Sequence, residues 1–430
     1  MARAAAAAVL LLVVLGLAVR AWLPSDAELA GEVATRFEKA SGIALRVGSA
    51  HWALRPSPVV VLEDVATAQA VPITLRRMVV RPRLAALWKR SIAIESVEIE
   101  GAVLPRASVR EFRGRWQPDD GSAALGAAWT LAPVPLERLR VRELVWIDRR
   151  DIALAYDADI RFDARWRPRE AEVWRTEVQP PARLRLVREG EEDRWRTLID
   201  VANGTWNGST RLEEPGDGRL RVKAELTAKE VDVGLLVRSF GRRTVIEGRA
   251  NGQTEVDAEG ADPSELLRRL HSRTRFSIAP ATLTGFDLGR AISSAGISRG
   301  GTTALDSLTG VLDTQAGEDG TTLRYTDLKA RSGVLSASGN ATVRNRRIDG
   351  QAAVDLVDGV VGVPLKLGGT LDAPELSLTG GALAGAAVGS AVLPGVGTAI
   401  GARIGQQVEQ LFGGDDARGG KKAPAAPKSR

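Results

Sequence analysis

The chain contains no cysteine. That absence removes disulfides, thiolate-ligated zinc, iron–sulfur clusters and any thiol nucleophile. Histidine is almost missing too, with His51 and His271 the only two in 430 residues. A His-rich metal centre is therefore excluded within the chain. A nucleophile–His–acid arrangement would have to use one of those two, and neither fits. His51 stands beside Trp52 at a strand end, with no acid and nucleophile clustered near it in sequence. His271 is expected in the last turn of a short helix, where a cationic ring suits the dipole. Walker A, GxSxG, HExxH and EF-hand patterns are all absent. Asp157 and Asp159 share one face of a strand and read as solvated. The sequence gives no catalytic residue, cofactor or metal site, and no enzyme is expected. Aromatics are only 4% of residues, mostly Trp, and Trp in strands reads as sheet packing.

Hydrophobic residues make up 44% and charged residues 26%, so the chain can bury a core. At 430 residues two or three units are expected. The net charge of +6 comes mainly from arginine, with acids interleaved almost everywhere. A nucleic-acid binder would gather that charge on one patch, so no nucleic-acid partner is expected. The pattern fits a solvated β surface, with contact to anionic lipid head groups as the alternative. The 45 glycines, together with many Val, Leu and Thr, point to strands and turns.

Residues 4–19 form an unbroken run of apolar or small residues, AAAAAVLLLVVLGLAV, which Ala21, Trp22 and Leu23 extend toward Pro24. Twenty helical residues reach about 30 Å, the thickness of a bilayer core. Arg20 could snorkel and Trp22 suits the interface. Two readings remain: a retained signal anchor or a cleaved signal peptide. Ala18-Val19-Arg20 makes a poor cleavage site, which favours the anchor. In either case the rest of the chain is exported.

Ser25-Asp26-Ala27-Glu28 spells a capping box. Leu29, Val33 and Phe37 then recur every four residues, and Gly42 is a natural stop. Beyond Gly42 the apolar period becomes two. Within 91–100, SIAIESVEIE, the alternation slips by one residue between Ile94 and Val97, which means a bulge or a break. A short turn is expected at 84–88 and a linker at 117–135. Strand-length alternating segments follow at 139–147, 151–166, 172–178, 182–188, 194–202, 204–212 and 220–227. Short helices are expected at 231–240 and from Asp262-Pro263 onward. From Thr321 the pattern becomes a regular antiparallel meander, apolar on one face and polar on the other.

The end of the chain differs. Gly381, Gly385 and Gly389 are four apart, and so are Gly397, Gly401 and Gly405, with Pro394-Gly395 between the two series. Such spacing clears a groove along one helix face, so the two arms read as a hairpin. Membrane insertion and soluble packing both remain open, because each arm is short for spanning. Residues 413–430 read as a disordered tail.

The order of these segments resembles the AsmA-like family of bacterial envelope proteins. The likeness rests on the anchor and capped helix, then HWALRPSPVVVLEDV and SIAIESVEIEG. In the second half it rests on TLTGFDLGRAI, ALDSLTGVLDTQAG, LSASGNATV, IDGQAAVDL and VPLKLGGTLDAPELSLTG. It is weakest from about 130 to 220, and its motifs are degenerate apart from their order. The resemblance implies a protein held in the inner membrane as a single-pass span through residues 4–23, with its body in the periplasm. It also implies a taco-shaped sheet whose concave apolar side carries lipid between membranes. The residues themselves offer roughly fifteen to twenty strands and only a few short helices to cover them.

The expectation is therefore a mainly β protein: a long curved, mostly antiparallel sheet forming an open groove. An N-terminal transmembrane helix, a few short capping helices and a C-terminal Gly-spaced helical hairpin complete it. The expected divisions are 1–23 anchor, 24–130 helix plus strands, 131–220 middle β region, 221–379 second β region, 380–412 hairpin and 413–430 tail. Leu323, Tyr325, Val354, Leu356, Val363, Leu365 and Leu367 are the candidates for the lipid-groove face. The expected partners are phospholipid, the inner membrane and other envelope proteins. The expected function is binding and moving phospholipid or otherwise supporting outer-membrane assembly. The alternative is an envelope scaffold whose apolar face is closed.

Overall fold

The computed structural model describes residues 25–53, 57–83, 91–92, 94–112, 130–131, 136–163, 167–216, 218–261, 263–285, 287, 298–317, 320–333, 335–356 and 360–379. The expected anchor at 4–23, the turn at 84–88, most of the 117–135 linker, the glycine hairpin at 380–412 and the tail lie outside them. Among the described residues no helix is long and apolar enough to cross a membrane. The chain forms two compact units, Met1–Ile199 and Asp200–Arg430.

The first unit opens with α1 (Asp26–Ser41). The capping box is formed: Glu28 N donates to Ser25 Oγ, and Ser25 N donates to Glu28 Oε2 at 2.9 Å. Those bonds hold the Glu28 carboxyl below its usual pKa. Gly42 closes the helix at φ 67°. Leu29 and Val33 of α1 then pack on Ala50, Leu62 and Val65. These belong to the meander of β1 (Leu45–Ala53), β2 (Val59–Thr67) and β3 (Thr74–Pro82).

A short parallel pair follows, β4 (Ser91–Ile92) with β6 (Thr130–Leu131). β5 (Ile94–Pro105) pairs antiparallel with β3. The expected phase slip is a bulge: Pro82 faces Ile94 and Arg81 faces Ser96, so Glu95 is the extra residue. After α2 (Arg106–Glu111) the chain crosses over, and β7 (Arg138–Ile147) lies parallel to β5. A parallel neighbour requires such a crossover rather than a hairpin. β8 (Ala153–Phe162), β9 (Pro168–Arg175) and β10 (Ala182–Arg188) return to antiparallel pairing, and β11 (Arg194–Val201) follows.

The second unit is antiparallel in every pairing among its described residues. Its first strands are β12 (Gly204–Glu213), β13 (Leu220–Asp232), β14 (Ile246–Gly260) and β15 (His271–Thr284), paired in that order. α3 (Val233–Ser239) joins β13 to β14 and is capped by Asp232 Oδ1, which accepts from Leu235 N at 2.8 Å. α4 (Pro263–Arg268) joins β14 to β15. The helix expected to contain His271 is shorter than that. His271 instead opens β15, opposite Asp257 and Gln315, with Nε2 3.6 Å from Asp313 Oδ1. Pairing on both strand edges outweighs the modest dipole gain a further helical turn would bring.

The remaining strands are β16 (Ser298–Arg299), β17 (Thr302–Leu305), β18 (Ser307–Gln315), β19 (Thr322–Ser332), β20 (Leu335–Arg344), β21 (Arg347–Leu356), β22 (Val360–Gly369) and β23 (Pro374–Leu378). β17 and β18 run consecutively along β15. From β18 each strand pairs with the next as far as β23. β23 then pairs with β16, which lies in the same chain segment as β17 and β18. The ladder thus returns to the segment it left, and a sheet that does so must bend over one of its faces. The approach of β15 to β23 agrees: a Cβ at Gly285 would lie 2.4 Å from Pro374 Cγ.

A one-sided apolar face as the candidate site

Register decides which side chains share a face, since alternate residues of a strand point oppositely. In the second unit one row runs through Ala228, Gly252, Phe276, Gly310 and on to Gly339, Ala352 and Leu365. The row beside it runs Leu226, Thr254, Thr274, Leu312, Tyr325, Ala341, Gly350, Leu367. A third contains Ile278, Leu308, Ala330, Ala337 and Val354. This face is apolar or small almost throughout. The opposite face carries Lys223, Asp257, Glu255, Arg275 and Arg324, and is exposed. It is laced by ion pairs such as Arg221–Glu259 at 2.8 Å and Arg275–Glu255 at 3.3 Å.

The seven groove candidates all take register positions on the apolar face. Leu323 and Tyr325 lie on β19, Val354 on β21, and Leu365 and Leu367 on β22. Val363 is paired with Val354, and Leu356 with Val360. Their environments differ. Val354 is 2% exposed and Leu365 0%, and Leu376 of β23 is 4% exposed. Ile278, Ala281, Leu305, Leu308 and Ala330 form a buried cluster, with Val233 of α3 packed on top. The expected long, mostly antiparallel open sheet is what the structure shows, with Val354, Leu365 and Leu376 buried at its far end. Pro364, on the other face of β22, is also fully buried.

Elsewhere the same face is half-buried. Leu226, Val256, Phe276, Leu312, Leu323 and Tyr325 all retain accessible surface. Phe276 and Tyr325 meet edge to face with ring centroids 6.4 Å apart. Gly310 makes room between them and Leu328: a Cβ there would come 2.8 Å from Leu328 Cδ2 and 3.2 Å from Phe276 Cζ. Desolvation pushes the Tyr325 phenol up to about 12. Sequence reasoning omitted Leu226, Val256, Phe276 and Leu312 from this face. The strict alternation of RTRFSI at 273–278 would have identified Phe276.

The first unit repeats the arrangement. Val60, Val80, Val97, Leu139, Ile160 and Ala171 occupy one row of its apolar face. Its other face carries charge. Asp157 and Asp159, expected to be merely solvated, are engaged there. Arg138 grips Asp159 through Nε at 2.9 Å and Nη2 at 2.5 Å, which holds the carboxyl below its usual pKa. Asp157 Oδ1 accepts from Glu143 N at 2.9 Å. Cross-strand register brings Arg138 to Asp159 and the Glu143 backbone N–H to Asp157, which the spacing along one strand does not reveal.

Among the described residues no group of three or more acidic or imidazole side chains is placed to hold a metal ion. Searched against family models, curated proteins and solved structures, the chain matches none.

Proposed function

We propose that this is a membrane-anchored protein of the bacterial periplasm whose apolar sheet face binds the acyl chains of phospholipid and carries them across the envelope. The observation that carries the reading is the half-buried apolar stretch from Leu226 through Leu312 to Tyr325, backed by a charged opposite face. Burying a methylene there is worth about 0.8 kcal/mol, so an acyl chain across several strands gains several times that. Lipid sliding needs a continuous apolar track and no catalytic group, in keeping with a sequence poor in histidine and free of cysteine. The order of segments resembling the AsmA-like family supports the same reading, as does the apolar run at 4–23.

The test is chemical. The full chain is purified in a mild detergent, extracted with organic solvent, and its lipid quantified by mass spectrometry. Stoichiometric phospholipid is expected, reduced severalfold in Leu312→Asp. A lipid-free, cooperatively folded protein would refute the carrier reading. A second reading, a scaffold whose apolar face is closed, draws on the burial of Val354 and Leu365. It predicts that lipid-free outcome.

A further inference from the structure

We infer that the polar face of the first unit holds a phosphate-binding site centred on Arg81 and Ser96. The site lies on the charged side of that sheet, and the inference stands apart from the carrier reading. A cleft of about 690 Å³ opens where the ends of β3, β5, β7, β8 and β9 meet, lined by six arginines and four carboxylates among the described residues. Its floor is set by register. Arg81 faces Ser96, Ser96 faces Arg138, and Arg138 faces Arg161. Neighbouring strands lie about 4.8 Å apart. An oxyanion above Ser96 therefore has a guanidinium on either side and a hydroxyl beneath it.

The existing ion pairs leave this spot unneutralised. Arg140 is paired with Glu98 at 3.0 Å, Arg83 with Glu137, and Arg161 with Glu170 at 3.3 Å. Asp163 is taken by Arg188. Arg138 uses Nε and Nη2 on Asp159 and keeps Nη1. Among the described residues Arg81 and Arg169 have no ion-pair partner, and the buried Nε of Arg81 has no acceptor. A buried cationic N–H without an acceptor is costly, and a doubly charged oxyanion with several lone pairs is the ligand that would satisfy it. Glu95, the bulged residue, is among the described residues the one lining carboxylate without an arginine partner. It lowers the positive potential of the cleft without filling the place above Ser96. A phosphate monoester, free or on a lipid headgroup, matches this chemistry.

The experiment is calorimetric titration of the full chain in neutral detergent micelles with two probes, inorganic phosphate and dihexanoyl phosphatidic acid. Binding of both indicates that the phosphate group suffices; binding of the lipid alone assigns the source as a headgroup. Either supports the site if Arg81→Ala weakens it about tenfold, the loss of one charge-assisted contact. Added salt should weaken it further. Should Arg81→Ala fail to fold, two milder variants decide. Ser96→Ala should weaken binding a few-fold, and Glu95→Gln should tighten it. No heat with either probe, or binding indifferent to all the variants that fold, overturns the proposal.

Discussion

Two stretches of one apolar face in the second unit end in different states. Around Val354 and Leu365, where β23 pairs with β16, the side chains are buried, at 2% and 0% exposure. Around Leu226, Leu312 and Tyr325 the alternation is just as regular, but the side chains stay half-buried. Both stretches are apolar and alternate alike, so residue type does not separate them. A covered apolar row is core; the same row left partly uncovered is a surface for apolar ligands. Small residues mark both stretches, Gly310 beside Phe276 and Gly339 beside Ala352, so residue size does not separate them either.

The comparison is broken most sharply by placing charge in each stretch. Val354→Asp and Leu365→Asp should each destabilise the second unit by about 4 kcal/mol or more, because an uncompensated carboxylate would be buried. A urea titration followed by circular dichroism reads this as a large fall in midpoint. Retention of the midpoint would mean that the burial of these side chains is readily relieved. Gly339→Ala comes next, since its Cβ would lie 2.4 Å from the Gln351 carbonyl oxygen. A loss of about 2 kcal/mol is expected from the forced strand shift, measured in the same titration.

Leu312→Asp should change stability by only about 1 kcal/mol, because the carboxylate reaches water, while it removes most of the co-purifying lipid. A collapse as deep as that of Val354→Asp would make the two stretches equivalent and end the distinction. The smallest effect is spectroscopic. Tyr325 is expected to ionise only near pH 12, so ultraviolet absorbance should show one late tyrosinate. Its raised pKa favours the folded state fully below about pH 10, the unfolded value, and that contribution is lost as pH rises through about 12. Lipid over the ring should delay its ionisation and lipid removal should advance it.

Much of the fold was legible because local chemistry decides it. Ser25 and Glu28 spell the cap of α1, and the slip between Ile94 and Val97 spells the bulge at Glu95. The alternation of the second unit gives both its strands and their two faces. Where the reading fell short, the missing term was a contact with residues distant in sequence. His271 belongs to β15 because Asp257 and Gln315 flank it. Asp159 is paired because β7 lays Arg138 alongside, and the parallel pairing of β5 with β7 is not written in either strand.

Determined by sequence alone were the β character of the body, the amphipathic alternation of its strands and the poverty of groups that do covalent chemistry. These follow from side-chain type and period. Tertiary structure decided which part of the apolar face is sealed and which part is left accessible. The pairing of β16 with β23 joins residues far apart in the chain, and no local pattern encodes that meeting.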